Sequence, residues 1–212
     1  MKLVNVWMGL MALALAVAFT QGAHAAVSGG ADGDPYPLDT CPVSGQELGS
    51  MGDPVVAEYD GREVRFCCAG CTGAFEDDKE GHWEEIDAAI KEQQMPHYPL
   101  DVCLNSDQPL DIGDGPHELV YKNRLTRFCC TGCRAEFKED PEDMLAKLDE
   151  AVVEQQLDGY ATENCVVDGG ELGSMGEPIN YVVANRLVRL CCAACIRDLQ
   201  EDPLEYLSQL DE

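Results

Sequence analysis

All twelve cysteines of this chain fall into three sets with one internal spacing. The first set is Cys41, Cys67, Cys68 and Cys71. The second is Cys103, Cys129, Cys130 and Cys133, and the third is Cys165, Cys191, Cys192 and Cys195. Each set begins 62 residues after the one before it. A spacing kept over so many residues marks tandem copies of one structural unit. Other positions keep the same step: Tyr36, Tyr98 and Tyr160; Pro54, Pro116 and Pro178; Arg62, Arg124 and Arg186; Arg65, Arg127 and Arg189; Phe75, Phe137 and Leu199. The copies divide the chain into modules at 36–97, 98–159 and 160–212.

Local signals predict an α+β unit. Val55 to Tyr59 reads as a strand, Asp60-Gly61 as a tight turn of the type I′ kind, and Arg62 to Phe66 as the return strand. Alternation puts Val64 and Phe66 on one face. Asn123 and Asn185 stand where the first copy has Gly61, and Asn tolerates positive φ better than most residues. A short helix carries Cys71 and Phe75. Asp140-Pro141 and Asp202-Pro203 start a second helix, whose apolar residues Met144, Leu145, Leu148 and Val152 lie at helical spacing. Each module thus reads as knuckle, β-hairpin and two helices.

A unit this small buries a core that rarely supplies more than ~3–5 kcal/mol, so it needs a staple. Structural zinc contributes ~10–16 kcal/mol in small peptides, and a disulfide ~2–4 kcal/mol. Neighbouring Cys67 and Cys68 have Cα atoms ~3.8 Å apart, below the usual disulfide window, so a disulfide scheme must pair Cys41 with one of them and Cys71 with the other. A metal scheme asks less of the geometry. Cys67 or Cys68, together with Cys71 at a helix start, can face one ion, and Cys41 arrives from the other side. Thiolates at such a position are favoured by the helix N-terminus. Up to four sulfurs suit Zn²⁺ or Cu(I), about one ion per module. Both schemes stay open, because export favours oxidation.

The run Cys41-Pro42-Val43-Ser44-Gly45, followed by Phe66-Cys67, Cys71 and Phe75, resembles the YHS and TRASH families of small metal-binding modules. The resemblance spans nearly the whole chain after residue 35, three times over. It implies treble-clef or zinc-ribbon-like modules and a place in heavy-metal trafficking, resistance or sensing. Cys41, Cys67 and Cys71 match the TRASH pattern, as do Cys103, Cys129 and Cys133, and Cys165, Cys191 and Cys195. The YHS knuckle usually has Cys where this chain has Ser44, Ser106 and Asp168. The additional Cys68, Cys130 and Cys192 are candidates to replace that ligand, and Asp168 is a candidate in the third copy.

The rest of the sequence bounds the setting. Lys2, the apolar run Met8 to Phe19 and Ala23-His24-Ala25 read as a signal peptide over residues 1–25, which implies a periplasmic or secreted protein. That run is shorter than the ~20 residues of a membrane span, and no second one follows, so stable membrane insertion after cleavage is not expected. Residues 26–35, rich in Gly, Ala and Asp, read as a flexible leader. A net charge of −26 repels nucleic acid. The paired arginines, such as Arg62 and Arg65, suit either surface ion pairs or steadying of thiolate charge. Met51 and Met175 read as turn packing, and His82, His97 and His117 as surface residues rather than ligands.

No phosphate loop, nucleophile elbow or recurring Ser/His/Asp pattern is present, so an enzyme is not expected. The favoured reading is an exported soft-metal binder whose partners are metal ions and a metal transporter or metalloenzyme client. One alternative is a scaffold whose cysteines are structural. Another is a thiol-disulfide protein, although its Cys-x-x-Cys lacks the βαβ context of thioredoxins.

Overall fold

A computed structural model describes residues 26–28, 32–112 and 115–211. The expected signal peptide lies outside the described residues. The chain is mixed α+β, with three small sheets and, among the described residues, six α-helices. None of these helices is long and apolar enough to cross a membrane.

One order of elements recurs along the chain. The first copy holds β2 (Val55–Tyr59), β3 (Arg62–Phe66), α1 (Gly70–Asp77) and α2 (Lys79–Gln94). The second holds β4 (His117–Tyr121), β5 (Arg124–Phe128), α3 (Thr131–Glu139) and α4 (Glu142–Gln156). The third holds β6 (Ile179–Val183), β7 (Arg186–Leu190), α5 (Ala194–Glu201) and α6 (Pro203–Ser208). The hairpins share one register, pairing Val55 with Phe66, His117 with Phe128 and Ile179 with Leu190. Both central turn residues have positive φ in every hairpin: Asp60 and Gly61 at 55° and 73°, Lys122 and Asn123 at 45° and 71°, Ala184 and Asn185 at 51° and 57°. That is the type I′ geometry whose twist matches the strands.

Each hairpin turns one face onto its own helices. Val64, Phe66 and Phe75 are fully buried together with Ile86 and Ile90. Phe128, Phe137 and Leu148 are their counterparts in the second copy, and Leu190 and Leu199 in the third. Two of the three second helices begin on side-chain caps: the Asp78 carboxylate accepts from the Gly81 N–H, and Asp202 accepts from Glu205 N–H ahead of Pro203, whereas α4 starts behind Pro141 without one.

The copies are not beads on linkers. Helix α2 packs against β4 and β5 of the following hairpin, and α4 packs against β6 and β7. Val152 and Val153 of α4 bury with Val182 and Leu187. The cores are therefore shared across the sequence boundaries at 97 and 159.

The described parts of the expected leader, residues 26–28 and 32–35, depart from the flexibility read from composition. Ala26–Ser28 forms β1, which pairs in parallel with β6, Ala26 opposite Asn180. Asp34 is 5 % exposed, and its carboxylate accepts from the Ala184 N–H at 2.7 Å. Gly, Ala and Asp fit a linker by composition, but Ala26–Ser28 follow a sheet edge whose backbone groups need partners.

The arginines do more than the expected ion pairing. Arg62 pairs with Asp87 at 2.7 Å, and its Nε donates to Asn123 of the next hairpin at 2.8 Å. Arg65 donates to the carbonyls of Glu201 and Gln200 at the end of α5. Arg65 also pairs with Glu63 at 2.7 Å, so both arginines make acid pairs and in addition tie copies together. Met51 and Met175 are 64 % and 68 % exposed, so they do not fill space in their turns.

Candidate metal centre

Each cysteine set is assembled from three places in the fold. The first residue sits in a knuckle turn. Cys41 N–H donates to the Gln46 carbonyl, and its own carbonyl accepts from Gly45 N–H, with Gly45 at φ 66°. The same two bonds close around Cys103, with Gln108 and Asp107, and around Cys165, with Gly170 and Gly169. The second residue, Cys67, Cys129 or Cys191, follows the return strand directly. The last, Cys71, Cys133 or Cys195, lies in the first turn of the short helix.

These three places converge. The sulfurs of Cys41, Cys67 and Cys71 lie within 4.8 Å of one another, and so do those of Cys103, Cys129 and Cys133. In the third copy the group is Cys165, Asp168, Cys191 and Cys195, again within 4.8 Å. Cys67 and Cys71 are 3.7 Å apart between sulfurs, Cys129 and Cys133 3.9 Å, and Cys191 and Cys195 3.7 Å. All twelve cysteines are free thiols. Nine of the twelve expected ligands therefore meet in three groups.

The remaining three stand at the rim. Cys68 touches Cys71 at 3.8 Å and Cys192 touches Cys195 at 3.8 Å, but neither belongs to its mutually close group. Cys130 caps α3, its sulfur accepting the Cys133 N–H at 3.4 Å. All three are half-buried, whereas Cys41, Cys67 and Cys71 are buried. The physical reason is the backbone. Adjacent residues leaving an extended strand point apart, so only one of Cys67 and Cys68 can face the knuckle.

The knuckle position places an oxygen beside the second sulfur of each group. Ser44 Oγ lies 3.3 Å from Cys67 Sγ, Ser106 Oγ lies 3.5 Å from Cys129 Sγ, and Asp168 Oδ2 accepts from Cys191 Sγ at 3.1 Å. Among the described residues no histidine joins these groups. His82 instead stacks on Phe75 at 5.5 Å.

The thiols of one group differ in acidity. Burial pushes Cys41 up, but the Ser44 hydroxyl and the N–H groups of Cys67, Ser44 and Val43 outweigh it and bring the thiol down to about 6. Cys103 follows the same pattern, with Ser106, and also falls to about 6. Burial, reinforced by neighbouring thiols, pushes Cys71 up to about 12. Burial likewise pushes Cys133 and Cys195 to about 12. Backbone N–H groups at the helix start lower the rim thiols Cys68, Cys130 and Cys192. In each of the first two groups the knuckle thiol is thus the more acidic and the helix thiol the less acidic. Three convergent sulfurs with an oxygen beside them are a fit donor set for a soft or borderline ion, and each group can hold one.

No family model, no curated protein and no solved structure matches the chain.

Proposed function

We propose that this chain is an exported soft-metal-binding protein. It holds about one Cu(I) or Zn²⁺ in each cysteine group and sequesters, buffers or delivers it. The observation that carries this reading is the convergence of three sulfurs, from residues up to 30 apart in sequence, at three equivalent places. Cys41, Cys67 and Cys71, with their counterparts, supply the inner donors. Cys68, Cys130 and Cys192, half-buried and touching or capping beside the last inner cysteine, supply an outer thiol through which an ion arrives or leaves. The likeness to YHS and TRASH modules points the same way. Clients would be a metal transporter or a metalloenzyme, and the strongly acidic chain does not suit nucleic acid.

A carrier is favoured over a structural role for the metal by one observation. Hydrogen bonds that involve no cysteine, from Arg62, Gln94, Asn123, Arg124, Gln156 and Asn185, already join the copies. Native mass spectrometry of protein from the exported fraction, with thiol counting, should find up to three ions and reduced thiols. A chelator should then strip the ions while circular dichroism stays unchanged. Unfolding on chelation would favour the scaffold, and absence of bound metal would remove the reading.

A further inference from the structure

We infer that the three centres are not equivalent, and that the third is built for a divalent ion while the first two are built for a monovalent one. This rests on the metal-binding reading above. At the same point of the knuckle, next to the second cysteine, the three copies offer Ser44, Ser106 and Asp168. A serine hydroxyl is a neutral and weak donor. A carboxylate is an anionic ligand of the kind that completes zinc sites. The third group therefore offers three thiolates and a carboxylate, and the first two offer three thiolates with a neutral oxygen. Three thiolates with one positive charge, and three thiolates with a carboxylate and two positive charges, leave the same residual charge.

Asp168 is also held for this purpose. Its Oδ1 accepts the Gly170 N–H at 2.9 Å, and this leaves Oδ2 on Cys191 Sγ at 3.1 Å. A backbone bond to one oxygen that aims the other at the donor group is how carboxylate ligands are oriented in metal sites. Ser44 and Ser106 have no such second oxygen. The outer thiols cannot account for the difference, since Cys68 and Cys192 stand at the same 3.8 Å from their neighbours in the first and third copies.

The test uses the full exported chain, reduced, with Zn²⁺ and Cu(I) as the probes. Zn²⁺ titrated against a competing chelator should show one site roughly tenfold or more tighter than the other two. With both ions supplied, native mass spectrometry should show one zinc and two copper ions. Asp168→Ser should remove the tight Zn²⁺ site, and Ser44→Asp should create a second one, so that the inference survives even if one variant misfolds. Three Zn²⁺ sites of equal affinity, or an Asp168→Ser profile like the wild type, would overturn the inference and leave metal binding standing. A chain that takes up neither ion would overturn both.

Discussion

Arg62 Nε donates to Asn123 Oδ1 at 2.8 Å, and one period later Arg124 Nε donates to Asn185 Oδ1 at 2.9 Å. The second and third hairpins are thus each read by the arginine of the hairpin before. The acids that pair with these arginines keep the same step: Asp87 with Arg62, Asp149 with Arg124, and Asp211 with Arg186. Gln94 and Gln156 complete the pattern. Each donates to the carbonyl of the next turn asparagine and accepts from an N–H two residues on, Leu125 or Leu187. Among the described residues the third arginine, Arg186, pairs with Asp211 and with no turn asparagine. The third copy is joined to the first by Arg65 with the end of α5, and to the segment ahead of the first by Asp34 with Ala184.

Asn123 has two separable jobs. Its side chain accepts from Arg62 and donates to Asp34 and Glu63 carbonyls, and its backbone holds φ 71°. Asn123→Gly keeps the turn and loses only the side-chain bonds, which should lower stability by about 2–4 kcal/mol. Asn123→Ala should cost roughly 1–2 kcal/mol more, from the left-handed backbone. Urea denaturation of the two variants measures both, and equal midpoints would show that the turn conformation carries no part of the loss.

The Arg124–Asp149 pair is the most enclosed of these ion pairs, with side chains 4 % and 7 % exposed against 13 % and 31 % for Arg62–Asp87. Removing one partner of a buried pair strands the other, so Asp149→Ala should destabilise by about 3–5 kcal/mol. Asp87→Ala should cost clearly less. The double variant Arg124→Met with Asp149→Leu should recover most of the loss. Thermal melts that rank Asp87→Ala as the worse variant would contradict this ordering.

Burial raises the Asp34 carboxyl from its ordinary 3.8 to about 6, with Arg124 partly opposing. Between those values the unfolded chain releases the proton while the folded chain keeps it. Stability therefore falls as pH rises from about 4 to about 6, by about 3 kcal/mol from this group alone. Asp34→Asn stays neutral throughout. The stability of wild type minus that of Asp34→Asn should decline over this window and be flat above pH 7. A flat difference across the whole range would mean that Asp34 is not enclosed.

Inner and outer cysteines should behave differently. Cys41→Ser removes one of three convergent sulfurs, and native mass spectrometry should show one ion fewer. Cys68→Ser leaves the convergent group intact. It should keep full stoichiometry and slow the transfer of the ion to a competing chelator, followed by stopped flow. Loss of an ion in Cys68→Ser would move that thiol into the centre.

The hairpins and their turns were legible because they rest on local rules. Alternation sets the face of Val64 and Phe66, and Asp60-Gly61 carries its own turn geometry. The Arg, Asp and Gln ties were visible in principle, since all keep the period of 62. An isolated surface-looking arginine does not reveal its partner, however, and Asn123 and Asn185 were readable only as turn residues. The leader misled for a related reason. Composition reports what a segment does when nothing contacts it, and the edge of β6 does contact it.

The cysteine spacing by itself carried the period and the candidate donors, and the hairpin and helix patterns carried the α+β class, because a period and a turn are properties of neighbouring residues. Which donors meet was settled only in three dimensions. Ser44, Ser106 and Asp168 approach the inner sulfurs and Cys68, Cys130 and Cys192 stand aside, because the strand exit and the knuckle fix where side chains point. Sequence distance carries no record of that direction.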